Sequence, residues 1–231
     1  MIDINISGLE KLSVTDYPGH VSCIVFTQGC NFNCPFCHNS SLIPFKKGSI
    51  KEEEVINYIE KRKNVLDEVV ITGGEPLLQQ DIKNFIKKIK KIGLKVKLDT
   101  NGSNFKILKE LIEGKLIDYI AMDIKNDKDN YSLVTGYKKY DFSSIKETIK
   151  LIEQSNIDYE FRTTIIKEYH SLKNIENILK IIDNKSKYFI QNFENNESVL
   201  IKDLNGFTKE ELINIEKILK DKYPNIKVRG L

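Results

Sequence analysis

The sequence is short of several features that mark particular classes of protein. Its 231 residues include no tryptophan, only three arginines, and a net charge of only +3. So small a charge argues against nucleic-acid binding, and base recognition usually relies on arginine. No stretch approaches the ~20 apolar residues of a membrane-spanning helix. We therefore expect neither a nucleic-acid nor a membrane partner, and interpret the lysine-rich stretch Lys87–Lys97 as a solvated helix face that leads into a strand.

The N-terminus also lacks an export signal, because Met1–Asn5 contains no basic region followed by an apolar run. We expect a cytoplasmic protein, in a reducing compartment where thiolates remain free. No linker, low-complexity tract or short repeat interrupts the chain. The sequence therefore predicts a single domain over residues 1–231, in which residues 1–19 form an N-terminal flap or hairpin.

Three of the four cysteines lie close together, in the spacing Cys30-x3-Cys34-x2-Cys37. Three thiolates on one loop can hold three corners of a [4Fe–4S] cluster, which normally takes four. The fourth iron is then left open, and an open metal position is typical of a catalytic site. A zinc site with His38 as fourth ligand is the alternative, although a residue directly after a ligand rarely reaches the same metal. A disulfide is a further alternative. The loop alone favours the cluster.

Six apolar, β-rich runs alternate with helical patterns along the chain. The predicted strands are Val21–Thr27, Glu68–Thr72, Lys95–Thr100, Asp118–Ile124, Tyr159–Thr164 and Tyr188–Phe193, with Ile226–Arg229 as a possible last strand. Apolar residues spaced three and four apart predict a helix after each of the six. Such repetition predicts an α/β fold with parallel strands, either curled into an incomplete barrel or open and doubly wound.

The predicted helices carry start and stop signals. Ser49 with Glu52, and Thr208 with Glu211, fit capping boxes. Gly93 and Gly114 stand where helices should end. These signals strengthen the helix assignments between the strands.

Polar residues follow the carboxyl ends of all six strands, which is where parallel α/β folds bind ligands. In chain order these are Thr27-Gln28-Gly29, Thr72-Gly73-Gly74-Glu75, Asp99-Thr100-Asn101-Gly102, Asp123-Ile124-Lys125, Arg162-Thr163 and Gln191-Asn192. Each of these residues could instead serve only as a turn, a helix cap or a solvated side chain. Their coincidence at the ends of six strands favours one shared site. Paired glycines let backbone approach a ligand, and Glu75 could accept from an ammonium. Asp99 and Asp123 could share a cation.

Together these residues resemble the radical S-adenosylmethionine superfamily, through Cys30-x3-Cys34-x-Phe36-Cys37 and Gly73-Gly74-Glu75-Pro76. Within it the chain is similar to glycyl-radical-enzyme activases, and most to the activating proteins of anaerobic ribonucleoside-triphosphate reductase. The segments that carry this likeness are Asp16-Tyr17-Pro18-Gly19, Phe26-x-Gln28-Gly29-Cys30, Cys37-His38-Asn39, Leu98-Asp99-Thr100-Asn101-Gly102 and Asp123-Ile124-Lys125. The resemblance implies an incomplete (βα)6 parallel barrel.

The resemblance also implies roles. Cys30, Cys34 and Cys37 ligate one [4Fe–4S] cluster, whose open iron takes S-adenosylmethionine. The residues implied to bind that cofactor are Phe36, His38, Gly73, Gly74, Glu75, Asp99, Asn101 and Arg162. A 5′-deoxyadenosyl radical then removes hydrogen from a glycine of a partner enzyme, with Lys125 at the reaction centre. Asp99, Thr100 and Asp123 hold a possible monovalent cation. Lys125, Asp99 and Asp123 are thus the implied catalytic residues.

One departure from the family pattern bears on the partner. Pyruvate formate-lyase activases carry a histidine where this chain has Gln191-Asn192-Phe193, which speaks against that assignment. His170 lies elsewhere, and we interpret it as a helix-start residue. We expect the partners to be a glycyl-radical enzyme, with the anaerobic reductase named above as the first candidate, and a low-potential electron donor such as flavodoxin or ferredoxin. The alternative is a radical enzyme for a small molecule, but six strand–helix units leave little chain for a lid. Cys23 is expected to be a buried packing residue.

Overall fold

The fold, a computed structural model, is described for residues 3–17, 19–137 and 141–229. These residues form one eight-stranded sheet whose strands lie side by side in chain order. The strands are β1 Ile6–Ser13, β2 Ser22–Thr27, β3 Glu68–Gly73, β4 Lys95–Thr100, β5 Tyr119–Asp123, β6 Asp158–Ile165, β7 Tyr188–Asn192 and β8 Ile226–Arg229. Strands β2 to β8 are all parallel to their neighbours, and β1 is antiparallel to β2.

Helices connect the parallel strands. They are α1 Glu52–Arg62, α2 Ile82–Ile92, α3 Phe105–Glu113, α4 Tyr131–Thr135, α5 Phe142–Glu153, α6 Leu172–Leu179 and α7 Lys209–Lys220. The six predicted strands and the possible last strand are all present, and the six predicted helices are too. The short α4 was not predicted, because five residues are too few to show a period. The parallel order confirms the expected α/β fold.

The strands have two different faces because successive side chains point to opposite sides of a sheet. Aliphatic residues such as Val69, Ile71 and Leu98 join helix residues such as Phe85 and Ile89 in one large core. Cys23 belongs to that core and is fully buried, as expected. The alternate positions of the same strands face inward, towards the site. Burial of the aliphatic face therefore fixes which polar residues turn inward.

The inner face carries charged residues well below the rim. Lys97 is only 3% exposed and donates to Asp99 Oδ1 at 2.7 Å, so the interpretation of Lys87–Lys97 as a solvated face is wrong at its last residue. Arg229 of β8 donates to both oxygens of Glu160 at 2.9 and 2.8 Å and lies over the Phe189 ring. These pairs satisfy charges that would otherwise be costly to bury.

The two ends of the chain complete the sheet. β1 and β2 pair as an antiparallel hairpin at the N-terminal side of the sheet; residues 1, 2 and 18 of the predicted flap or hairpin over residues 1–19 lie outside the described ranges. In the turn that follows β1, Tyr17 packs against Tyr119 with ring centroids 5.0 Å apart. Among the residues that the structure describes, no helix has the length and apolar character needed to cross a membrane.

The predicted helix signals have mixed outcomes. The Thr208–Glu211 capping box is present at α7. The Ser49–Glu52 box is wrong: Lys51 caps α1, Ser49 donates to the Ser7 carbonyl, and the Glu52 carboxylate accepts from Ile4 N and Lys88. Gly93 ends α2 at a φ of 99° and Gly114 ends α3, as predicted. Tertiary bonds to the N-terminal segment thus replaced the local cap.

We predict that Glu68→Gln stabilises the protein increasingly as pH rises. Glu68 is fully buried, and neither carboxylate oxygen has a hydrogen-bond partner among the described residues. Burial raises the pKa of Glu68 to about 8. Since the folded chain holds this proton more tightly than the unfolded chain, stability falls as pH rises from the ordinary carboxyl pKa towards 8.

The advantage of Glu68→Gln should therefore grow by up to about 1.4 kcal/mol per pH unit over that window. Thermal unfolding of both proteins from about pH 5 to pH 8 measures it. Glu52→Gln is the matched control, because Glu52 is equally buried but paired with Lys88, and it should lose stability. An advantage of Glu68→Gln that does not change with pH would contradict the prediction.

Candidate active site

One cavity of about 440 Å³ opens at the carboxyl ends of the parallel strands. It gathers every site residue expected from the sequence. These are Cys30, Cys34, Phe36, Cys37, His38, Gly73, Gly74, Glu75, Asp99, Thr100, Asn101, Asp123, Lys125 and Arg162. They come from β2 to β6 and the segments that follow these strands. The convergence of polar groups at one rim therefore holds in the structure.

The cysteine loop follows β2 and is held by backbone hydrogen bonds to the segment behind it. Gly29 N donates to the Leu42 carbonyl at 2.8 Å, and Cys30 N donates to that of Ile43 at 3.0 Å. Burial raises the pKa of Cys30 to about 12 and that of Cys34 to about 11, whereas the Lys125 ammonium lowers both. Thiolate ligation therefore needs a strong positive charge, which iron supplies, and it releases protons.

Two glycines bring the end of β3 against the cysteine loop. A Cβ on Gly73, whose φ is 115°, would lie 2.4 Å from Thr27 N, and a Cβ on Gly74 would lie 2.2 Å from the Gly29 carbonyl oxygen. No side chain fits either position. Because Gly29 precedes Cys30, a substitution at Gly74 disturbs the cysteine loop as well as the β3 end. These two segments form a single unit.

Glu75 is fully buried, and its carboxylate is engaged by the protein itself. It accepts hydrogen bonds from Thr100 Oγ1 at 2.7 Å, Asn101 N at 2.7 Å and Leu77 N at 3.1 Å. Burial raises its pKa to about 7, against the pull of these donors. Glu75 therefore ties the β3 end to the β4 end. In turn Asn101 Nδ2 lies 3.9 Å from Cys30 Sγ and 3.0 Å from Asn31 Oδ1.

Five buried or half-buried charges alternate in sign across the floor of the cavity. Lys97 contacts Asp99, Arg162 bridges Asp99 and Asp123, and Lys125 completes the series. The distances are 3.0 Å from Arg162 Nη2 to Asp99 Oδ2, 2.5 Å from Arg162 Nε to Asp123 Oδ1, and 3.2 Å from Lys125 Nζ to Asp123 Oδ2. The cations hold the pKa of both aspartates below the usual range, and the carboxylate and nearby thiols raise that of Lys125. The two aspartates, Arg162 and Lys125 therefore remain charged at neutral pH.

The segment 193–207 covers the outer side of the cysteine loop. His38 stacks on Phe193 with centroids 5.4 Å apart and donates from Nε2 to the Glu194 carbonyl at 2.7 Å. Ile201 N donates to the Pro35 carbonyl at 3.0 Å. The long connection between β7 and α7 thus packs on the loop, and none of its residues lines the cavity.

Four polar residues expected at the rim lie outside the cavity. Thr27 follows Phe26, which lines the cavity, and donates from its hydroxyl to the Thr72 carbonyl at 3.0 Å. Gln28 is buried behind the loop and donates to the Ser41 and Pro44 carbonyls. Thr163 turns to the opposite face and donates to the Ile124 carbonyl, whereas the next residue, Thr164, lines the cavity. Asn192 bonds both ways with Phe207, whereas Gln191 lines the cavity. Strand alternation explains the last two cases.

Two residues near the site were not predicted. Lys97 reaches the charge series from below the rim, and the sequence signal was its spacing of two from Asp99, which puts both on one face. His170 is not a simple helix-start residue: it is 4% exposed, and its Nε2 lies 2.9 Å from the Lys125 carbonyl oxygen. Ser171, the next residue, caps α6. Contacts between residues 45 apart left no local pattern.

The donor set fits a cluster on three thiolates with a polar ligand beside it. Three free thiols share a cavity with charged side chains and exposed strand-end backbone. Within the described ranges, no three His, Cys, Asp or Glu side chains are grouped as around a single metal ion. A cubic cluster spreads its ligands over several irons, so its thiolates need not meet at one point.

Comparison with known proteins agrees with a site that binds an iron–sulfur cluster. A putative glycyl-radical enzyme activating enzyme of Methanocaldococcus jannaschii is 35% identical over 98% of this chain and 96% of its own length. The pyruvate formate-lyase-activating enzyme of Clostridium pasteurianum is 29% identical over 96% of this chain and 91% of its own. The crystal structure of Streptococcus suis SuiB bound to S-adenosylmethionine shares the fold, with a TM-score of 0.70 and 19% identity over 88% of this chain and 48% of SuiB.

Residues 24–182 match the Radical SAM superfamily, which is more than half of the chain. The archaeal relative extends the likeness across almost all of it. This chain therefore belongs to the Radical SAM superfamily, among the glycyl-radical enzyme activating enzymes, and is a radical SAM oxidoreductase.

Proposed function

We propose that this chain is a cytoplasmic activase that generates a glycyl radical on a partner enzyme. The observation that carries the proposal is a single cavity in which three thiols, the Gly73–Glu75 segment and the buried Lys125–Asp123 pair meet. The similarity to relatives named as glycyl-radical enzyme activating enzymes supports it. We also propose that the chain forms a single domain.

Cys30, Cys34 and Cys37 would hold a [4Fe–4S] cluster, and the Gly73–Glu75 segment would receive S-adenosylmethionine. When bound, the cluster supplies one electron that splits S-adenosylmethionine into methionine and a 5′-deoxyadenosyl radical, which takes a hydrogen atom from the glycine. Asn101, beside Cys30 Sγ, can donate to a ligating sulfur. Phe36 and His38 offer ring faces for the adenine, and the segment 193–207 shields that side of the loop from water.

Arg162 and Lys125 are the cations available to the cofactor and the substrate. We propose that Arg162 binds the carboxylate of S-adenosylmethionine, and that a monovalent cation binds beside Asp99, Thr100 and Asp123. Arg162 bridges the two aspartates, so the cation can enter only if Arg162 turns towards the cofactor. Lys125 stays paired with Asp123 and faces the same cavity, where it can contact the reacting glycine loop.

The proposed substrate is a glycine in a loop of a larger protein, with anaerobic ribonucleoside-triphosphate reductase as the first candidate and pyruvate formate-lyase as the second. The absence of a histidine at Gln191-Asn192-Phe193 favours the first, and the clostridial relative is the reason to include the second. Flavodoxin or ferredoxin is the proposed electron donor. Selectivity then depends on positioning, because a primary alkyl radical attacks the nearest hydrogen.

The proposed function predicts hydrogen transfer from one glycine. The protein, reduced and supplied with S-adenosylmethionine, should give a doublet glycyl signal by electron paramagnetic resonance when mixed with the correct candidate enzyme. Deuterium at the Cα of that glycine should appear in 5′-deoxyadenosine. Cleavage of S-adenosylmethionine without a radical on either candidate would move the assignment to a radical enzyme for a small molecule.

The cluster assignment predicts different outcomes for the four cysteines. Replacing Cys30, Cys34 or Cys37 with Ala should abolish cluster binding. Three thiolates already leave one of the four irons without a protein ligand, so no ligand can be spared. Cys23→Ala, which lies in the core and faces away from the cavity, is the matched control and should keep the cluster. Iron and sulfide analysis after anaerobic reconstitution measures both. Stoichiometric zinc without sulfide in the native protein would falsify the assignment.

Lys125→Ala should separate activation from cofactor binding. Asp123 keeps its bond to Arg162 at 2.5 Å, so the variant should fold and keep its cluster and its affinity for S-adenosylmethionine. Glycyl radical yield should fall by at least about tenfold, the effect of losing one charged contact made during reaction. Lys90→Ala, which removes a lysine paired with Asp118 on the outside, is the control. Full radical yield in Lys125→Ala would show that the lysine has no part in the reaction.

A further inference from the structure

The segment after β5 is tied to β6, to the turn that follows it and to α6 at every residue from Ile124 to Asp127. Thr163 Oγ1 donates to the Ile124 carbonyl at 2.7 Å, and His170 Nε2 lies 2.9 Å from the Lys125 carbonyl oxygen. Asn126 Nδ2 donates to the Tyr169 carbonyl at 2.9 Å. The Asp127 carboxylate accepts from Asn174 and Asn177 of α6, each at 3.0 Å. Of these bonds, only the one to the Lys125 carbonyl is made by a ring, the imidazole of His170.

The imidazole of His170 has no freedom to turn. Ile166 N donates to Nδ1 at 3.3 Å, so Nδ1 is the acceptor and the proton lies on Nε2, which donates to Lys125. The ring is 4% exposed, and burial lowers its pKa, which favours this neutral form. A turn from Ile166 to His170, closed by His170 N to the Ile166 carbonyl at 2.8 Å, fixes the backbone beneath it.

The same ring touches the cysteine loop. Phe36, which lies between Cys34 and Cys37, meets His170 edge to face with centroids 6.2 Å apart. His170 therefore contacts both the loop of the three thiols and the backbone of Lys125. The neighbouring Tyr169 makes a similar pair of contacts. Its carbonyl accepts from Asn126, and its ring centroid lies 6.3 Å from that of Phe36.

We propose that His170 is the positioning residue of Lys125, which it holds in register with the cysteine loop. The inference rests on the proposed function of Lys125 in radical formation. Lys125 reaches Asp123 at 3.2 Å, a long contact for an ion pair that a small backbone shift would break. The fixed carbonyl, rather than the ion pair alone, keeps the ammonium in the cavity.

Chemical labelling of Lys125 tests the positioning without any radical chemistry. Reductive methylation of the protein before cluster loading, followed by peptide mass spectrometry, gives the reaction rate of each lysine. In His170→Phe, which loses both ring bonds, Lys125 should react about tenfold faster, as expected from one lost buried hydrogen bond. His170→Gln, whose amide can both donate and accept, should restore most of the protection.

Tyr119→Phe is the matched control. Tyr119 lies in β5, the strand that leads to Lys125, and the substitution removes its buried hydrogen bond of 2.9 Å to Glu160. Its Lys125 should react at the wild-type rate. Rates are compared only between variants with native circular dichroism, and His170→Ala replaces His170→Phe if the larger side chain prevents folding. Unchanged Lys125 reactivity in the folded variant would overturn the inference.

A double-mutant cycle separates this inference from the proposed function. If His170 acts through Lys125, then His170→Phe lowers the glycyl radical yield of the native chain but not that of Lys125→Ala. Iron content should stay the same throughout. Additive losses would mean that His170 supports the fold generally, and the inference would be wrong. Absence of a radical in the wild-type protein would instead contradict the proposed function and leave the labelling result to stand alone.

Discussion

The site depends on charges that are buried and must therefore neutralise one another. Arg162 bonds to both Asp99 and Asp123, and the two lysines bond to the outer side of each aspartate. Three neighbouring strands contribute these groups, so the series sets the spacing of β4, β5 and β6 at the level of the cavity. Removal of the central guanidinium would leave two half-buried carboxylates without their shared cation, and an unpaired charge is costly where water is restricted. The arrangement of the polar wall thus follows from charge pairing.

A second constraint is the close approach of backbone to backbone. Gly73 and Gly74 leave no room for a Cβ against Thr27 and Gly29, and the buried Glu75 then bonds to the end of the next strand. The cysteine loop, the β3 end and the β4 end are consequently one rigid unit. A thiolate-bound group on that loop and a ligand on those glycines would share a frame whose parts cannot move separately. Such preorganisation is what a reaction with an unselective radical requires.

Periodicity and strand-end composition were enough to predict the strands, the helices between them and the polar residues at the strand ends, and the resemblance named the site residues that line the cavity. They failed where long-range contacts decide. Ser49 was predicted to cap a helix, but its hydroxyl donates to the Ser7 carbonyl in the N-terminal segment. Thr163 and Asn192 face away from the cavity, as the alternation of side chains along a strand requires. Lys97 and His170 were misjudged because their partners lie on other elements or deep inside the sheet. The cover formed by residues 193–207 had no periodic pattern to reveal it.

The bond between Arg229 and Glu160 also has a consequence for synthesis of the chain. The two residues are 69 positions apart, so a ribosome working at ~5–20 residues per second completes Glu160 roughly 3 to 14 s before its partner exists. During that interval the Glu160 carboxylate of β6 lacks Arg229, and its other hydrogen bond in the fold is the one from the Tyr119 hydroxyl. The Glu160 carboxylate is therefore paired with a cation only after β8 has been made, so the pairing of this strand is a late step in assembly of the sheet.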